Sequence, residues 1–326
     1  MAFIKNRDQA KQIMEDAAFK GVALAIFCTG SYWNTEAILK AAQEFAEENG
    51  LERIPVAVAM TSHYKYMQQT ARVTRCGDMK SGLLSIMQYC RLLCDGPDAP
   101  YSRVDVLPHL DHGDPVKDRW ELNEALDNFC SVMFDAQNYP YEENLRMTRE
   151  YVQKYGKQVL VEGVIESLGV GGQKEASQRD DYVEKAVDFI KCTGVDFLVA
   201  DLGTEQQSAG TDGKYLKQRA QNLTRSLGRK MLVLHGTSSL RNEDIGGFAE
   251  DGVVRVNMWT RIVREAGQYA AEKLVARYPE IQKGVFESTE AKMFIDNNID
   301  KAADIMKNVL GSLGYRKLRS VSLDLQ

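Results

Sequence analysis

Eight short apolar runs recur along this 326-residue chain, each followed by a longer amphipathic stretch, and no other feature narrows the fold as much. The runs are 21–27 (GVALAIF), 55–60 (PVAVAM), 104–110 (VDVLPHL), 131–135 (SVMFD), 159–166 (VLVEGVIE), 197–202 (FLVADL), 231–235 (MLVLH) and 253–258 (VVRVNM). Helical patterning fills 35–48, 80–94, 119–128, 142–155, 180–193, 214–227 and 242–250, and resumes near 260. Strands that are apolar at consecutive positions are buried on both faces, which calls for a parallel sheet covered by crossover helices. Eight such units favour closure into a barrel over an open sheet. The fold expected is therefore α/β, a (β/α)8 TIM barrel with extra C-terminal helices. Residues 1–326 are read as one domain, with 279–326 as its helical extension. The stretch 61–79 is poorly patterned and carries His63, Tyr64, Lys65 and Arg72, as an active-site loop or an oligomer contact would.

Composition excludes several classes of partner. A formal charge of −5 gives no electrostatic reason to expect nucleic acid or an anionic membrane. Basic residues stand beside acids at helical spacing, as Arg146 does with Glu150, which is the pattern of a solvated face. No apolar run approaches the ~20 residues of a membrane helix. The opening residues Met1 to Asp8 lack the apolar core of a signal peptide. The six cysteines (28, 76, 90, 94, 130 and 192) form no CxxC pair, so reduced thiols and a cytoplasmic location are expected.

In a barrel of this kind the chemistry sits at the C-terminal ends of the strands, so polar residues there carry the most weight. The third run ends in His109-Leu-Asp-His112-Gly-Asp114, the fourth in Asp135, the fifth in Glu162 and Glu166. Asp201, Glu205 and Gln206 follow the sixth, His235 ends the seventh, and the eighth carries Asn257. Three of the four histidines of the chain fall at these ends. A single strand-end histidine is usually structural, but several joined by carboxylates from neighbouring strands point to a metal such as Zn²⁺, Mn²⁺, Fe²⁺ or Co²⁺. The adjacency of Asp111 and His112 suits a division of labour, one toward substrate as acid or base and the other toward metal. Gly169-Val-Gly-Gly172 lacks the spacing of a dinucleotide loop. No lysine ends a strand, which argues against Schiff-base chemistry.

Six segments, in order and at sensible spacing, resemble the class II, metal-dependent fructose-bisphosphate/tagatose-bisphosphate aldolase family. They are Leu110-Asp-His-Gly113; Ser131-Val-Met-Phe-Asp135 with Tyr139-Pro-Tyr-Glu-Glu-Asn144; Val161-Glu162 through Gly171-Gly172; Thr193-Gly-Val-Asp-Phe-Leu198 with Gly203-Thr204; Leu232-Val-Leu-His-Gly236; and Arg255-Val-Asn257. The resemblance implies a retro-aldol lyase acting on a ketose or ketose phosphate. Asp111 would be its general acid/base, and a divalent metal would stabilise the enediolate. His112 and His235 match metal ligands, with Zn²⁺ the first choice and Mn²⁺ or Co²⁺ the alternatives. Asp135 and Glu166 match positions that serve a second cation or an alternative metal position. Thr61, Gly236, Ser238, Asn257, Trp259 and Thr260 are expected to line the substrate and phosphate site, and His109 matches a residue that supports the ligands. The family also implies a homodimer or homotetramer.

Departures from the family pattern cluster at the phosphate cradle and at one ligand. The third metal-binding histidine falls on Gln206, whose carbonyl oxygen is a weaker ligand than imidazole. The glycine after it is Gln207, and the family's HGGSG loop reads His235-Gly-Thr-Ser-Ser239, with two glycines lost. Trp259 stands where an aspartate holds substrate, Cys28 where an asparagine ends the first strand, and Gln173 and Lys174 where acids follow Gly171-Gly172. The bulk of Gln207 and Thr237 suggests a non-phosphorylated substrate or a differently placed anionic group, with Trp259 stacking on a sugar face. Three readings follow: an aldolase, a ketose C4 epimerase using the same bond cleavage, or a non-catalytic partner subunit of an aldolase.

Overall fold

In the computed structural model, eight parallel strands pair in chain order and the eighth returns to the first, closing the barrel. The structure describes residues 2–166, 168–170, 181–285 and 291–319. The strands are β1 (Leu24–Cys28), β2 (Ile54–Met60), β3 (Val104–Gly113), β4 (Ser131–Phe134), β5 (Leu160–Val164), β6 (Phe197–Val199), β7 (Leu232–Leu234) and β8 (Val253–Met258). All are buried along their length except for Asp105, which is half-buried near the start of β3. Their apolar side chains belong to one continuous core, the outcome that runs apolar at every position demand.

Helices α1 (Arg7–Phe19), α2 (Tyr32–Asn49), α3 (Gln69–Arg72), α4 (Met79–Cys94), α5 (Tyr141–Tyr155), α6 (Tyr182–Thr193), α7 (Lys217–Leu227) and α8 (Thr260–Ala276) precede or follow the strands. Two crossovers differ from the sequence reading. The stretch 119–128 forms a five-residue π turn, Trp120–Glu124, and a 3₁₀ turn, Leu126–Asn128, rather than an α-helix. The stretch 242–250 holds only the 3₁₀ turn Asn242–Asp244 and the start of a second, Phe248–Asp251, because Gly246 and Gly247 interrupt it and Gly247 takes φ 67°. The loop 61–79 contains α3, and α1 lies ahead of the first strand, where no helix was expected. Its start is set by Asn6, whose side chain accepts from the Gln9 N–H.

After β8 come α8, α9 (Tyr278–Gln282) and the long α10 (Ala291–Ser312), which lies against α2 and α8 outside the barrel. The chain then turns back, and buried Tyr315 reaches the strands: its hydroxyl accepts from the Ala25 N–H and donates to the Pro55 carbonyl. The C-terminal segment therefore both covers the barrel and ties β1 to β2. No helix among the described residues is long and apolar enough to cross a membrane.

Candidate metal centre and active site

The site begins with an irregularity in β3. Neighbouring residues of a regular strand point to opposite faces. Here the pairing of β3 with β4 shifts between Leu110 and Gly113, and His112 takes φ 51°, a conformation that non-glycine residues rarely adopt. Asp111 and His112 consequently both line the pocket at the C-terminal mouth of the barrel. His235, just beyond β7, lines it from across the mouth, and one ligand atom from each of the three residues lies within 4.8 Å of the others. Backbone strain held at such a point is characteristic of functional sites.

His112 is gripped from three sides. Its Nδ1 is 2.7 Å from Asp135 Oδ2, its Nε2 is 3.1 Å from Gln206 Oε1, and the Tyr64 ring stacks on it at a centroid distance of 3.9 Å. Asp135 thus stands behind the imidazole, away from Nε2, and is itself held by the N–H and side-chain amide of Gln137. Burial pulls the His112 imidazolium toward losing its proton, but the charges of Asp111 and Asp135 overcome this and raise its pKa to about 9. His235 is the opposite case, pushed down to about 4 chiefly by burial. Its Nε2 is buried without a hydrogen-bond partner among the described residues. Burial pushes the Asp111 carboxyl up, yet the three histidines around it outweigh that and hold it below its ordinary value. Asp111 Oδ1 is likewise buried and unpartnered among the described residues, while Oδ2 faces the Cys28 thiol at 3.6 Å.

Two imidazoles and an amide oxygen beside a carboxylate, with His235 Nε2 buried and unmatched among the described residues, make a donor set that fits a divalent transition-metal ion. An unmatched buried donor or acceptor is costly unless something meets it. His112 with Asp135 on its outer nitrogen is the carboxylate–histidine arrangement that fixes a ligand's tautomer and aim.

The remaining expected residues divide. Thr61, Gly236, Ser238, Asn257, Trp259 and Thr260 all line the same pocket of about 430 Å³ as Asp111 and the two histidines. The Thr61 hydroxyl is turned to the Met67 carbonyl, and the Gln69 side chain accepts from the Thr61 N–H, so Thr61 shapes the loop after β2. Gln206 is fixed by its backbone, since its N–H donates to the Gly169 carbonyl in a bridge between the loops after β5 and β6. Glu166 is half-buried two residues past β5 and lies outside the three-residue cluster, with Oε1 unpartnered among the described residues. Gly171, Gly172, Gln173 and Lys174 lie outside the described residues.

His109 sits below the mouth, inside the barrel. Its Nδ1 is 2.9 Å from Ser131 Oγ and its Nε2 is 3.6 Å from Glu162 Oε2. Glu162 is ion-paired with Arg255, and both are fully buried. Burial pushes Glu162 up to about 7 against the pull of Arg255, and it drives His109 well below its usual value, helped by the same arginine. Glu162, read from sequence as a strand-end polar residue, is therefore part of the barrel floor.

Several contributors went unassigned in the sequence. Tyr64 caps His112 and donates to Gln206 Oε1 at 3.2 Å; the aromatic residues Tyr64 and Tyr66 in an otherwise featureless loop after β2 were the available signal. Met67 and Gln69 complete that wall of the pocket. The Cys28 thiol, 3.1 Å from Asn257 Oδ1, joins the ends of β1 and β8 beneath Asp111.

The chain resembles known aldolases in sequence and in fold. The chain is 28% identical over 258 residues to the fructose-bisphosphate aldolase of Streptococcus pneumoniae serotype 4, covering 77% of this chain and 78% of that protein. It is 26% identical over 284 residues to the fructose-bisphosphate aldolase of Staphylococcus epidermidis, covering 85% and 87%. Among solved structures, the fructose-bisphosphate aldolase of Campylobacter jejuni superimposes with a TM-score of 0.76 at 16% identity, over 94% of this chain and 95% of that one. At that identity the likeness speaks for the fold. The family model for class II fructose-bisphosphate aldolases matches residues 8–315, and the chain belongs to that family of aldehyde-lyases.

Proposed function

We propose that this chain is a divalent-metal-dependent lyase that breaks and forms a carbon–carbon bond of a ketose. His112, His235 and the Gln206 side-chain oxygen hold the ion, and Asp111 moves the proton. The observation that carries this reading is the convergence of Asp111, His112 and His235 at the strand ends, with Asp135 braced behind His112. The bound ion supplies Lewis acidity toward the ketone oxygen and offsets the charge that develops as the bond breaks. Zn²⁺ is the first choice from two imidazoles, with Mn²⁺ and Co²⁺ as alternatives, and the amide oxygen favours Mn²⁺ of the two.

Asp111 is suited to its role by charge and position. Its carboxyl is held below its ordinary value beside His112, and Oδ1 has no hydrogen-bond partner among the described residues. It takes the proton from the hydroxyl of the carbon that becomes the aldehyde while the C–C bonding pair passes to the ketone fragment; solvent protonates that fragment's carbon, and the reverse sequence re-forms the bond with Asp111 returning its proton. Asn257, Trp259 and Thr260 bound the space in which the substrate lies. The barrel and the helices after it are taken as one domain, because α10 packs on α2 and α8 and Tyr315 ties β1 to β2. A homodimer or homotetramer is proposed from the exposed Val275, Tyr278, Phe294 and Ile295 after barrel closure, and light scattering that returns a monomer mass overturns it.

The test of the central reading is elemental analysis of protein purified without chelator, beside His235→Ala, followed by a ketose screen. The screen monitors both released aldehyde and the C4 epimer. About one transition-metal ion per chain, lost in the variant, with aldehyde release supports the lyase. Epimer without aldehyde moves the assignment to an epimerase. Absence of metal even after soaking in Zn²⁺, Mn²⁺ and Co²⁺ ends the metal mechanism.

A further inference from the structure

Resting on the ketose-lyase reading above, we propose that the substrate end facing the loops after β6 and β7 carries no phosphate, so that the enzyme takes an unphosphorylated ketose. Barrels of this kind commonly hold a phosphate with backbone N–H groups of their last loops and a helix N-terminus. Such a cradle needs free amides, free hydroxyls and room. In this chain several of those groups in the loops that follow β6 and β7 are spent on each other.

The hydroxyls are committed one by one. Ser238 Oγ accepts from the Ser208 N–H at 3.3 Å and donates to the Glu205 carbonyl at 3.4 Å. Ser239 Oγ accepts from the Glu205 N–H at 3.0 Å and donates to the Gly236 carbonyl at 2.8 Å. Thr237 Oγ1 donates to the Asn257 carbonyl, and Thr204 Oγ1 donates to the His235 carbonyl. The N–H groups of Ser239 and Leu240 close a 3₁₀ turn on Gly236 and Thr237. Space is used up as well: a Cβ on Gly236 would lie 2.7 Å from the Glu205 backbone, so the two loops touch main chain to main chain.

Charge and shape point the same way. Arg219, Arg261 and Arg264 contact these loops, and Arg219 donates to the Asp201 carbonyl. Arg261 donates to the Leu240 carbonyl and Asn242, and Arg264 to the Ser208 and Ala209 carbonyls, so both fasten the loops from outside. Among the described residues no Lys or Arg lines the pocket, and Asp111 places a negative charge in it. Gln207, held at φ 53°, brings a side chain to the lining where a bare backbone would offer its amide. Tyr64, Met67 and Trp259 supply apolar walls, with the Gln207 and Asn257 amides between them. Apolar walls with a few placed neutral polar groups suit the C–H faces and hydroxyls of an unmodified sugar, and among the described residues no cation lines the pocket to meet a dianion.

The test compares dihydroxyacetone with dihydroxyacetone phosphate in D₂O on the zinc-loaded protein, following deuterium entry at the hydroxymethyl carbon by NMR, with chelator-stripped protein as blank. Exchange of dihydroxyacetone at a kcat/KM at least tenfold above that of the phosphate upholds the proposal. Tenfold preference for the phosphate overturns it and leaves the ketose-lyase reading standing. Exchange of neither compound counts against that reading, and phosphate binding then decides this proposal alone. The probe is glycerol 3-phosphate, titrated calorimetrically into the parent and into Q207G/T237G/S239G, with Gln207→Gly alone as the substitute should the triple variant not fold. Binding by the variant at least tenfold tighter than by the parent upholds the proposal. Equal or tighter binding by the parent overturns it.

Discussion

Asp135 Oδ2 lies 2.7 Å from the outer ring nitrogen of His112, whose own backbone sits at φ 51° where β3 slips against β4. The slip brings both Asp111 and His112 to the pocket, and the carboxylate behind the ring fixes which nitrogen faces it. Asp135→Asn should leave the fold intact and weaken metal binding by about 10–100-fold. Competition with a chromophoric chelator measures this directly, and unchanged affinity would remove Asp135 from the centre.

Asp111→Asn separates proton transfer from metal binding. Removing a positioned acid/base costs roughly 10²–10⁴ in rate. The variant should keep its metal while losing ketose cleavage by about that factor, as metal analysis and single-turnover assays on one preparation would reveal. Simultaneous loss of metal would make Asp111 a ligand instead.

Tyr64→Phe keeps the ring stacked on His112 and deletes only the hydroxyl that donates to Gln206 Oε1. A neutral hydrogen bond of this kind contributes about 0.5–1.5 kcal/mol. The expected effect is a weakening of metal affinity by up to about tenfold with an unchanged melting temperature. Titration of both proteins with Co²⁺, read from its visible absorption, checks it; identical curves would leave Tyr64 as a steric cap alone.

The buried pair of Glu162 and Arg255 gives the barrel floor a pH signature. Glu162 is raised to about 7 by burial, whereas an unfolded glutamate titrates near 4.3. Between those values the folded chain holds a proton that the unfolded chain has released, so stability falls as pH rises. The contribution is full below about pH 4 and is lost on passing through pH 7. Melting temperatures of the parent relative to Glu162→Gln should therefore decline from pH 5 to 8, and a flat difference would show the glutamate ionised throughout. Arg255→Met, which strands the acid, should cost about 3–5 kcal/mol by denaturant titration.

The barrel itself was legible because its evidence is local. Strands such as 21–27 and 55–60 are apolar at nearly every position, and a helix or helical turn follows each strand, so fold class and strand order needed nothing beyond periodicity. Legible too was the set of polar residues at the strand ends, since the direction of parallel strands fixes which end collects them. Local pattern misled at 119–128 and 242–250, where apolar spacing looked helical but the crossover is too short or too rich in glycine for an α-helix. Roles within the site depended on contacts between residues far apart in the chain. Sequence alone placed Asp135, Glu162 and Glu166 alike at strand ends; folding puts the first behind His112, buries the second against Arg255 and leaves the third outside the cluster. Likewise, Thr237 and Ser239 read only as lost glycines until the structure joined their hydroxyls to Asn257, Glu205 and Gly236. Periodicity determines which face of an element is buried, but a hydrogen bond across loops from different strands is decided only when the barrel closes and brings them within 3 Å or so of each other.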